Sequence, residues 1–131
     1  MAPPADIDSL GASTYISLTT FRKDGRAVAT PVWVARDGDS LFVITDLNSG
    51  KVKRLRNNPS VVLGQSDVRG RLTGPEVPGT AVVLDADRVP EVRRLIAAKY
   101  GLTYRVMLLG DRVRPRRKQS QRVGIEITLA Q

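Results

Sequence analysis

The residues best suited to chemistry lie in a basic stretch at positions 49–59, directly after an apolar run. If Ser49 caps a helix there, the backbone N–H groups of Gly50 and Lys51 open that helix at the positive end of its dipole. The Lys51 ammonium lies beside them, and Arg54 follows one turn later. Because N–H groups and cations in this arrangement bind phosphate, the stretch predicts an anion site.

The same stretch also fits an ordinary surface helix. Val52 and Leu55 are three residues apart and would form one apolar edge, with the basic residues solvated on the other side. Pro59 ends the helix in either interpretation, since proline cannot continue it. The local sequence leaves both interpretations open.

Composition excludes several classes of chemistry. The chain contains no His and no Cys, which removes the usual general base, the usual metal ligands and the thiolate nucleophile. Zinc-dependent hydrolysis, Ser-His-Asp catalysis and cysteine catalysis are therefore excluded, and no metal site is expected. If the protein is an enzyme, the reactive atoms belong to a cofactor that the protein binds and orients.

The formal net charge of +8 predicts an anionic partner. Nucleic acid, a phosphorylated cofactor and an acidic membrane surface all fit this charge. Single-stranded nucleic acid is usually bound on aromatic side chains placed among the cations. Aromatic residues make up only 5% of the chain, and the basic runs at 51–56 and 114–118 contain none, so nucleic acid is the weaker hypothesis.

The length of 131 residues fits one domain spanning residues 1–131. No apolar run approaches the roughly 20 residues of a membrane span. The N-terminus lacks the basic and apolar regions of a signal peptide. These features predict a cytoplasmic protein without a membrane span.

Alternation of apolar and polar residues predicts six strands. The predicted strands are Tyr15–Phe21, 26–35, 40–45, 60–65, 77–84 and 125–129. The first three are expected to form an antiparallel meander, with a hairpin turn at Asp24-Gly25. Pro31 marks a sheet edge, a bulge or a backbone that faces a ligand, and Gly79 marks a plausible bulge.

Helical spacing appears mainly late in the chain. A helix is predicted at 90–100, with Asp87 as its cap and Gly101 as its stop. Shorter helices are predicted at 6–10 and 102–110, and residues 114–118 form an exposed basic loop. Six strands with short helices predict an α+β protein built on a small antiparallel barrel.

The order and spacing of these segments resemble the split β-barrel flavin and deazaflavin oxidoreductases of the pyridoxamine 5′-phosphate oxidase superfamily. The likeness is closest to the subgroup that is similar to users of the deazaflavin coenzyme F420 rather than FMN. The residues that carry the resemblance are Asp24-Gly25-Arg26, Thr30-Pro31-Val32-Trp33-Val34, Thr45-Asp46, the stretch from Ser49 to Pro59, Gly79-Thr80-Ala81 and Lys99-Tyr100-Gly101.

The resemblance implies a homodimer with the cofactor at the subunit interface. It places the cofactor phosphate against Ser49, Lys51 and Arg54, and the ring along the second strand. Trp33 in that strand could equally be a core residue or a dimer contact. The residues implied to bind the cofactor are Thr30, Pro31, Val32, Trp33, Thr45, Ser49, Gly50, Lys51, Arg54 and Gly79.

The functional hypothesis is hydride transfer from reduced F420 to a small unsaturated or planar acceptor. No catalytic side chain is required, although the Tyr104 hydroxyl could supply a proton. The basic loop 114–118 would suit the poly-glutamate tail of F420, or it is a solvated charge run. The alternatives are an FMN-dependent oxidoreductase, a non-catalytic carrier of the cofactor or of a tetrapyrrole-like anion, and a nucleic-acid-binding barrel.

Overall fold

A computed structural model describes residues 6–101 and 121–130. These residues form seven strands and three α-helices, and a short 3₁₀ helix at Ala86–Arg88 directly precedes the α-helix at Val89–Tyr100. In chain order the elements are α1 (Ile7–Ala12), β1 (Tyr15–Phe21), β2 (Ala27–Val32), β3 (Ala35–Asp37), β4 (Ser40–Asp46), α2 (Gly50–Asn57), β5 (Ser60–Ser66), β6 (Leu72–Val83), α3 (Val89–Tyr100) and β7 (Arg122–Leu129).

All seven strands belong to one antiparallel sheet with the order β2-β1-β5-β6-β7-β4-β3. The two edge strands, β2 and β3, are consecutive in the chain, and only Trp33 and Val34 join them. Because so short a link connects opposite edges, the sheet must curl until its edges meet at this corner. The predicted α+β fold on a split barrel is confirmed.

The prediction of a single strand over residues 26–35 was wrong. Residues 27–32 pair with β1, whereas residues 35–37 pair with β4 at the other edge of the sheet, so the expected meander does not form. Seven strands therefore replace the six predicted. The alternation conceals the corner because Val32 packs against the barrel core and Val34, two residues later, is fully buried in it.

The predicted bulge at Gly79 was also wrong. Gly79 lies in regular register, opposite Val61 of β5 and Leu129 of β7, and the register shift is at Gly64 to Ser66 of β5. A Cβ on Gly79 would lie 2.7 Å from the carbonyl oxygen of Thr128. Glycine is required here because neighbouring backbones approach closely.

Strand β6 begins at Leu72, five residues before the predicted start. Pro75 and Pro78 conceal this early start, because proline is rare inside sheets. Residues 72–78 pair only with β5, and pairing with β7 begins at Gly79. The prolines therefore occupy the part of β6 that has one neighbouring strand.

Of the two terminal residues predicted for α3, the Gly101 stop is confirmed and the Asp87 cap is wrong. Asp6 and Ser9 form a capping box at the start of α1, and Gly101 ends α3 with a φ of 56°. Asp87 does not cap α3, because the 3₁₀ turn places Arg88 at the N-cap. The predicted helix at 102–110, the basic loop 114–118 and Tyr104 lie outside the described residues.

Two apolar clusters occupy the two faces of the curled sheet. The larger fills the barrel and includes Ile16, Leu18, Val43 and Leu63, all fully buried. The smaller lies under α3 and joins Phe42 to Val92 and Ile96, with Trp33 packed against it. Helix α3 contacts β3, β4 and β7, whereas α2 contacts β1 and β6, so the two helices cover separate parts of the barrel.

The last turn of α3 stabilises the corner at Trp33 and Val34, between β2 and β3. The Lys99 ammonium donates to the carbonyl oxygens of Gly11, Ser13 and Val34 at 2.9, 2.5 and 2.6 Å. Burial lowers the pKa of Lys99. The Tyr100 ring stacks on Trp33 with a centroid separation of 4.2 Å and an angle of 7° between the planes. The Lys99-Tyr100-Gly101 segment, one of those that carry the family resemblance, therefore positions the end of β2.

Candidate functional site

Helix α2 begins where the sequence predicts. Ser49 is its N-cap, and the Ser49 hydroxyl accepts a hydrogen bond from the Val52 N–H at 3.4 Å. The Thr45 hydroxyl, at the end of β4, lies 3.5 Å from the Ser49 hydroxyl and is almost fully buried. Strand, cap and helix start are thus joined by side-chain contacts, and the helix ends at Asn57, before Pro59.

The helix packs on the barrel through its apolar edge. Val52 and Leu55 are buried, with Leu55 in the main cluster, while Lys51 and Arg54 are half-buried and Lys53 is exposed. The surface-helix interpretation is therefore correct for the apolar edge and for Lys53. Lys51 and Arg54 are held closer to the barrel than solvated side chains would be.

Arg54 crosses from α2 to the end of β1. Its Nε donates to the Thr20 hydroxyl at 2.6 Å, and Thr20 is fully buried. Its Nη1 lies over the first turn of α2, only 2.6 Å from the position that a Cβ on Gly50 would occupy. Thr20, Ser49, Gly50, Lys51 and Arg54 are hereafter called the anion site, after the anion that is predicted to bind at the start of α2.

Electrostatics in the anion site are unfavourable without a counter-charge. Burial, and then the charge of Arg54, lower the pKa of Lys51. Burial, and then the charge of Arg22, lower the pKa of Arg54. Within residues 6–101 and 121–130, no carboxylate forms a salt bridge with Lys51 or Arg54. An anion bound here would relieve this repulsion.

The side chains of β2 do not all face outward, as a surface that packs against the cofactor ring would require. Pro31 is exposed, whereas Val32 packs against the barrel core and the Thr30 hydroxyl lies 3.5 Å from the Leu18 carbonyl oxygen. Since β2 is an edge strand, one side of its backbone has no strand partner within the described sheet. Thr30 and Val32 can therefore offer a ligand little side-chain surface.

Trp33 lies beyond the end of β2, in the smaller cluster, where it stacks on Tyr100. This packing matches the core alternative for Trp33. A cofactor contact at Trp33 stays a prediction.

Strand β1 links the two groups of predicted residues. Its Thr20 contacts Arg54, and its Leu18 pairs with Thr30 of β2. Two residues along a strand span about 7 Å, so the anion site and the middle of β2 are within reach of one extended ligand. Gly79 lies apart from the middle of β2, because β1 and β5 separate its strand from β2.

Sequence reasoning missed Thr20 and Arg22. Thr20 has the same strand parity as Ile16 and Leu18, which are core residues. A polar residue at a core position needs a hydrogen-bond partner. That mismatch is a signal that could have identified Thr20, whereas only the fold places Arg22 near Arg54.

A cavity of about 520 Å³ lies on the other side of α2. Leu55 and Arg56 line it, together with the end of β6 and the start of β7. None of the predicted cofactor-binding residues lines this cavity. Its walls and those of the anion site are therefore formed by different faces of the helix.

A family model described as pyridoxamine 5′-phosphate oxidase matches residues 7–131. The chain belongs to this family. The resemblance stated from the sequence is thereby confirmed. A comparison with curated proteins found no match.

Solved structures share the fold of this pyridoxamine 5′-phosphate oxidase family member at low sequence identity. An F420 reductase is 21% identical, with a TM-score of 0.62 over 99% of this chain and 97% of that one. An FAD-binding protein from Mesorhizobium loti is 17% identical, with a TM-score of 0.60 over 95% and 84%. The heme storage protein HutZ from Vibrio cholerae is 14% identical, with a TM-score of 0.62 over 90% and 82%.

Within residues 6–101 and 121–130 of this family member, none of the helices has the length and apolar character needed to cross a membrane. No cluster of acidic side chains in the same part of the chain could hold a metal ion.

Proposed function

We propose that this protein is an F420-dependent oxidoreductase that reduces a small unsaturated or planar acceptor. The observation that supports this most directly is the anion site, where Lys51 and Arg54 meet at the first turn of α2 and form no salt bridge with a carboxylate of the described residues. The site occurs in a member of the pyridoxamine 5′-phosphate oxidase family. Function in the cytoplasm is part of the same proposal.

The donors of the anion site fit a phosphate group. The opening turn of α2 provides N–H groups that have no acceptor within the helix. Lys51 adds a compact charge, and Arg54 adds a planar group able to hold two oxygens. In our proposal, these groups hold the phosphate of the cofactor, with Thr45 supporting the Ser49 cap.

The edge of β2 fits one side of a planar ring. Its exposed residues are Ala27, Ala29 and Pro31, all apolar; Pro31 is also rigid, and Gly70 of the β5–β6 connection lies close to it. A planar ring needs a flat, largely apolar wall with a few orienting polar groups. The unpaired backbone groups of β2 supply those polar groups in the proposed complex.

The chain's own contribution to the reaction is binding, orientation and exclusion of water. A reduced deazaflavin supplies a hydride when it is bound. The protein has no His or Cys to act as base or nucleophile, so rate enhancement comes from holding cofactor and acceptor in contact. The Tyr104 hydroxyl stays a predicted proton donor outside the described residues.

Support for F420 over FMN comes from charge and from shape. The net charge of +8 exceeds what one phosphate requires, and the tail of F420 adds further carboxylates. The fold of the F420 reductase matches this chain over nearly the full length of both. FMN is the alternative cofactor, because it also has a phosphate that Lys51 could bind.

A homodimer is part of the proposal. The exposed Pro31 face of β2 would leave a bound ring open to water on one side. A second copy of the chain would close it, since ligand sites favour interfaces. In this arrangement, the basic loop 114–118 would meet the tail of F420.

A cofactor carrier without catalysis is the second candidate function. The fold likeness to a heme storage protein favours it, because the same barrel there serves storage. The two functions differ in turnover and not in binding. Nucleic acid binding is supported only by the net charge and predicts affinity that falls steeply with salt.

The experiment that tests the proposal has two stages. The purified protein is first mixed with F420 and with FMN separately, and binding is measured by fluorescence. Reduced F420 is then offered with quinone, nitro and enone acceptors, and its oxidation is followed by absorbance. Tight F420 binding with turnover supports the oxidoreductase, binding without turnover favours the carrier, and binding of neither cofactor contradicts both.

A further inference from the structure

Thr20 is an unusual residue for its position. It is fully buried at the barrel end of β1, and it has the same parity as Ile16 and Leu18 of the core. A buried hydroxyl costs stability unless it is hydrogen-bonded. Its partner is the guanidinium of Arg54, whose Nε donates to it at 2.6 Å.

Gly50 leaves room for the same guanidinium because it has no side chain. Apart from the backbone of α2 itself and the two adjacent residues, the three heavy atoms nearest to a Cβ on Gly50 all belong to the Arg54 side chain, with Nη1 at 2.6 Å, Cζ at 3.4 Å and Nη2 at 3.7 Å. No atom of another strand or helix is among these neighbours. A methyl group at position 50 would therefore displace the tip of the Arg54 side chain and leave the helix in place.

Arg54 needs such restraint to stay where it lies. The charges of Arg22 and Lys51 repel it, and no carboxylate in residues 6–101 and 121–130 forms a salt bridge with it. A long side chain gains considerable rotamer entropy by turning into solvent. The Thr20 hydrogen bond holds the guanidinium in place against the repulsion and the entropy gain, and the absence of a side chain at Gly50 leaves room for it.

We propose that Thr20 and Gly50 are positioning residues that hold the Arg54 guanidinium over the first turn of α2. This inference rests on the proposed function, in which the ligand of Arg54 is the cofactor phosphate. Since Nε is used by Thr20, the Nη1 and Nη2 edge is the part of Arg54 that meets the phosphate oxygens. Arginine therefore contributes a fixed, two-pronged contact beside the single charge of Lys51.

Three single variants separate positioning from folding. Thr20→Val keeps the shape and removes the acceptor, Thr20→Ser keeps the hydroxyl, and Gly50→Ala crowds Nη1 while favouring the helix. In F420 titrations, Thr20→Val and Gly50→Ala are expected to raise Kd about five- to thirtyfold. Thr20→Ser should stay within about twofold of the parent.

The Arg54→Met background shows whether the effects pass through Arg54. There, Thr20→Val and Gly50→Ala should change Kd by less than about twofold, because the group that they position is gone. Equal losses in both backgrounds would overturn the inference. Gly50→Ala alone decides the matter if Thr20→Val does not fold.

A readout without cofactor separates this inference from the proposed function. In ligand-free protein, the Arg54 Nε–H signal in ¹⁵N NMR should exchange slowly with water, broaden or disappear in Thr20→Val, and shift in Gly50→Ala. An Nε–H signal that is unchanged in both variants would refute the positioning role. A parent protein that binds neither F420 nor FMN would refute the proposed function, while the NMR signal would still decide the role of Thr20 and Gly50.

Discussion

The Tyr100 hydroxyl accepts a hydrogen bond from the Val34 N–H at 2.9 Å and donates to the Thr14 carbonyl oxygen at 2.7 Å. This one hydroxyl joins the end of α3 to the corner that separates β2 from β3. The corner sets where β2 ends, and β2 is the strand proposed to carry the cofactor ring. Positioning of the site therefore depends on a contact remote from the cations of α2.

Tyr100→Phe should lower the free energy of unfolding by about 1–3 kcal/mol, because the Val34 N–H loses its partner while the stack on Trp33 is kept. Urea denaturation measures the loss. Tyr15→Phe is the control, since the Tyr15 hydroxyl makes no hydrogen bond within residues 6–101 and 121–130. Equal stability of Tyr100→Phe and the parent would show that the corner does not depend on this hydroxyl.

Lys99 predicts a pH dependence of stability. Burial lowers its pKa in the folded protein below the ordinary value of 10.5. As the pH rises toward 10.5, the unfolded chain keeps more protons at this position than the folded chain, so stability attributable to Lys99 increases. Urea denaturation at pH 8 and pH 10 should therefore show the free energy of unfolding rising for the parent relative to Lys99→Met. A difference that falls with pH would have the wrong sign.

Gly79→Ala should be destabilising by about 1–3 kcal/mol, because its Cβ would press on backbone between β5 and β7. Thermal unfolding measures the loss. Gly74→Ala is the matched control within β6, since the nearest atom there is the Gln65 Oε1, at the end of a flexible side chain. The close-packing explanation fails if the two alanine variants unfold at the same temperature.

Several turns and helix termini could be predicted from local signals in the sequence. The Ser49 cap, the Gly101 stop and the Asp24-Gly25 turn all depend on residues within a few positions of one another. The corner at Trp33-Val34 depends on which strands pair, and the alternation of valines passes through it unchanged. The alternation of residues could show which side chains share a face of the strand, but not the point where the chain leaves β1 and begins to pair with β4.

The candidate site divides in the same way. Ser49, Gly50 and Lys51 come from one short segment, so the local pattern could indicate an anion site. The restraint on Arg54 requires Thr20, which is 34 residues away in the chain. Thr30 and Val32 were predicted to bind the cofactor because the ring was expected to lie along their strand. In the structure their side chains turn toward the barrel.

The central claim is that the first turn of α2 holds an anion through Lys51. A fluorescence titration of F420 against the parent, Lys51→Ala and the exposed control Lys53→Ala tests it most directly. A charge-assisted phosphate contact is worth about 1.5–3 kcal/mol, so Lys51→Ala should raise Kd roughly ten- to a hundredfold. Lys53→Ala should leave Kd within about threefold of the parent, because Lys53 is solvated. Equal dissociation constants for Lys51→Ala and the parent, with both folded, would contradict the account.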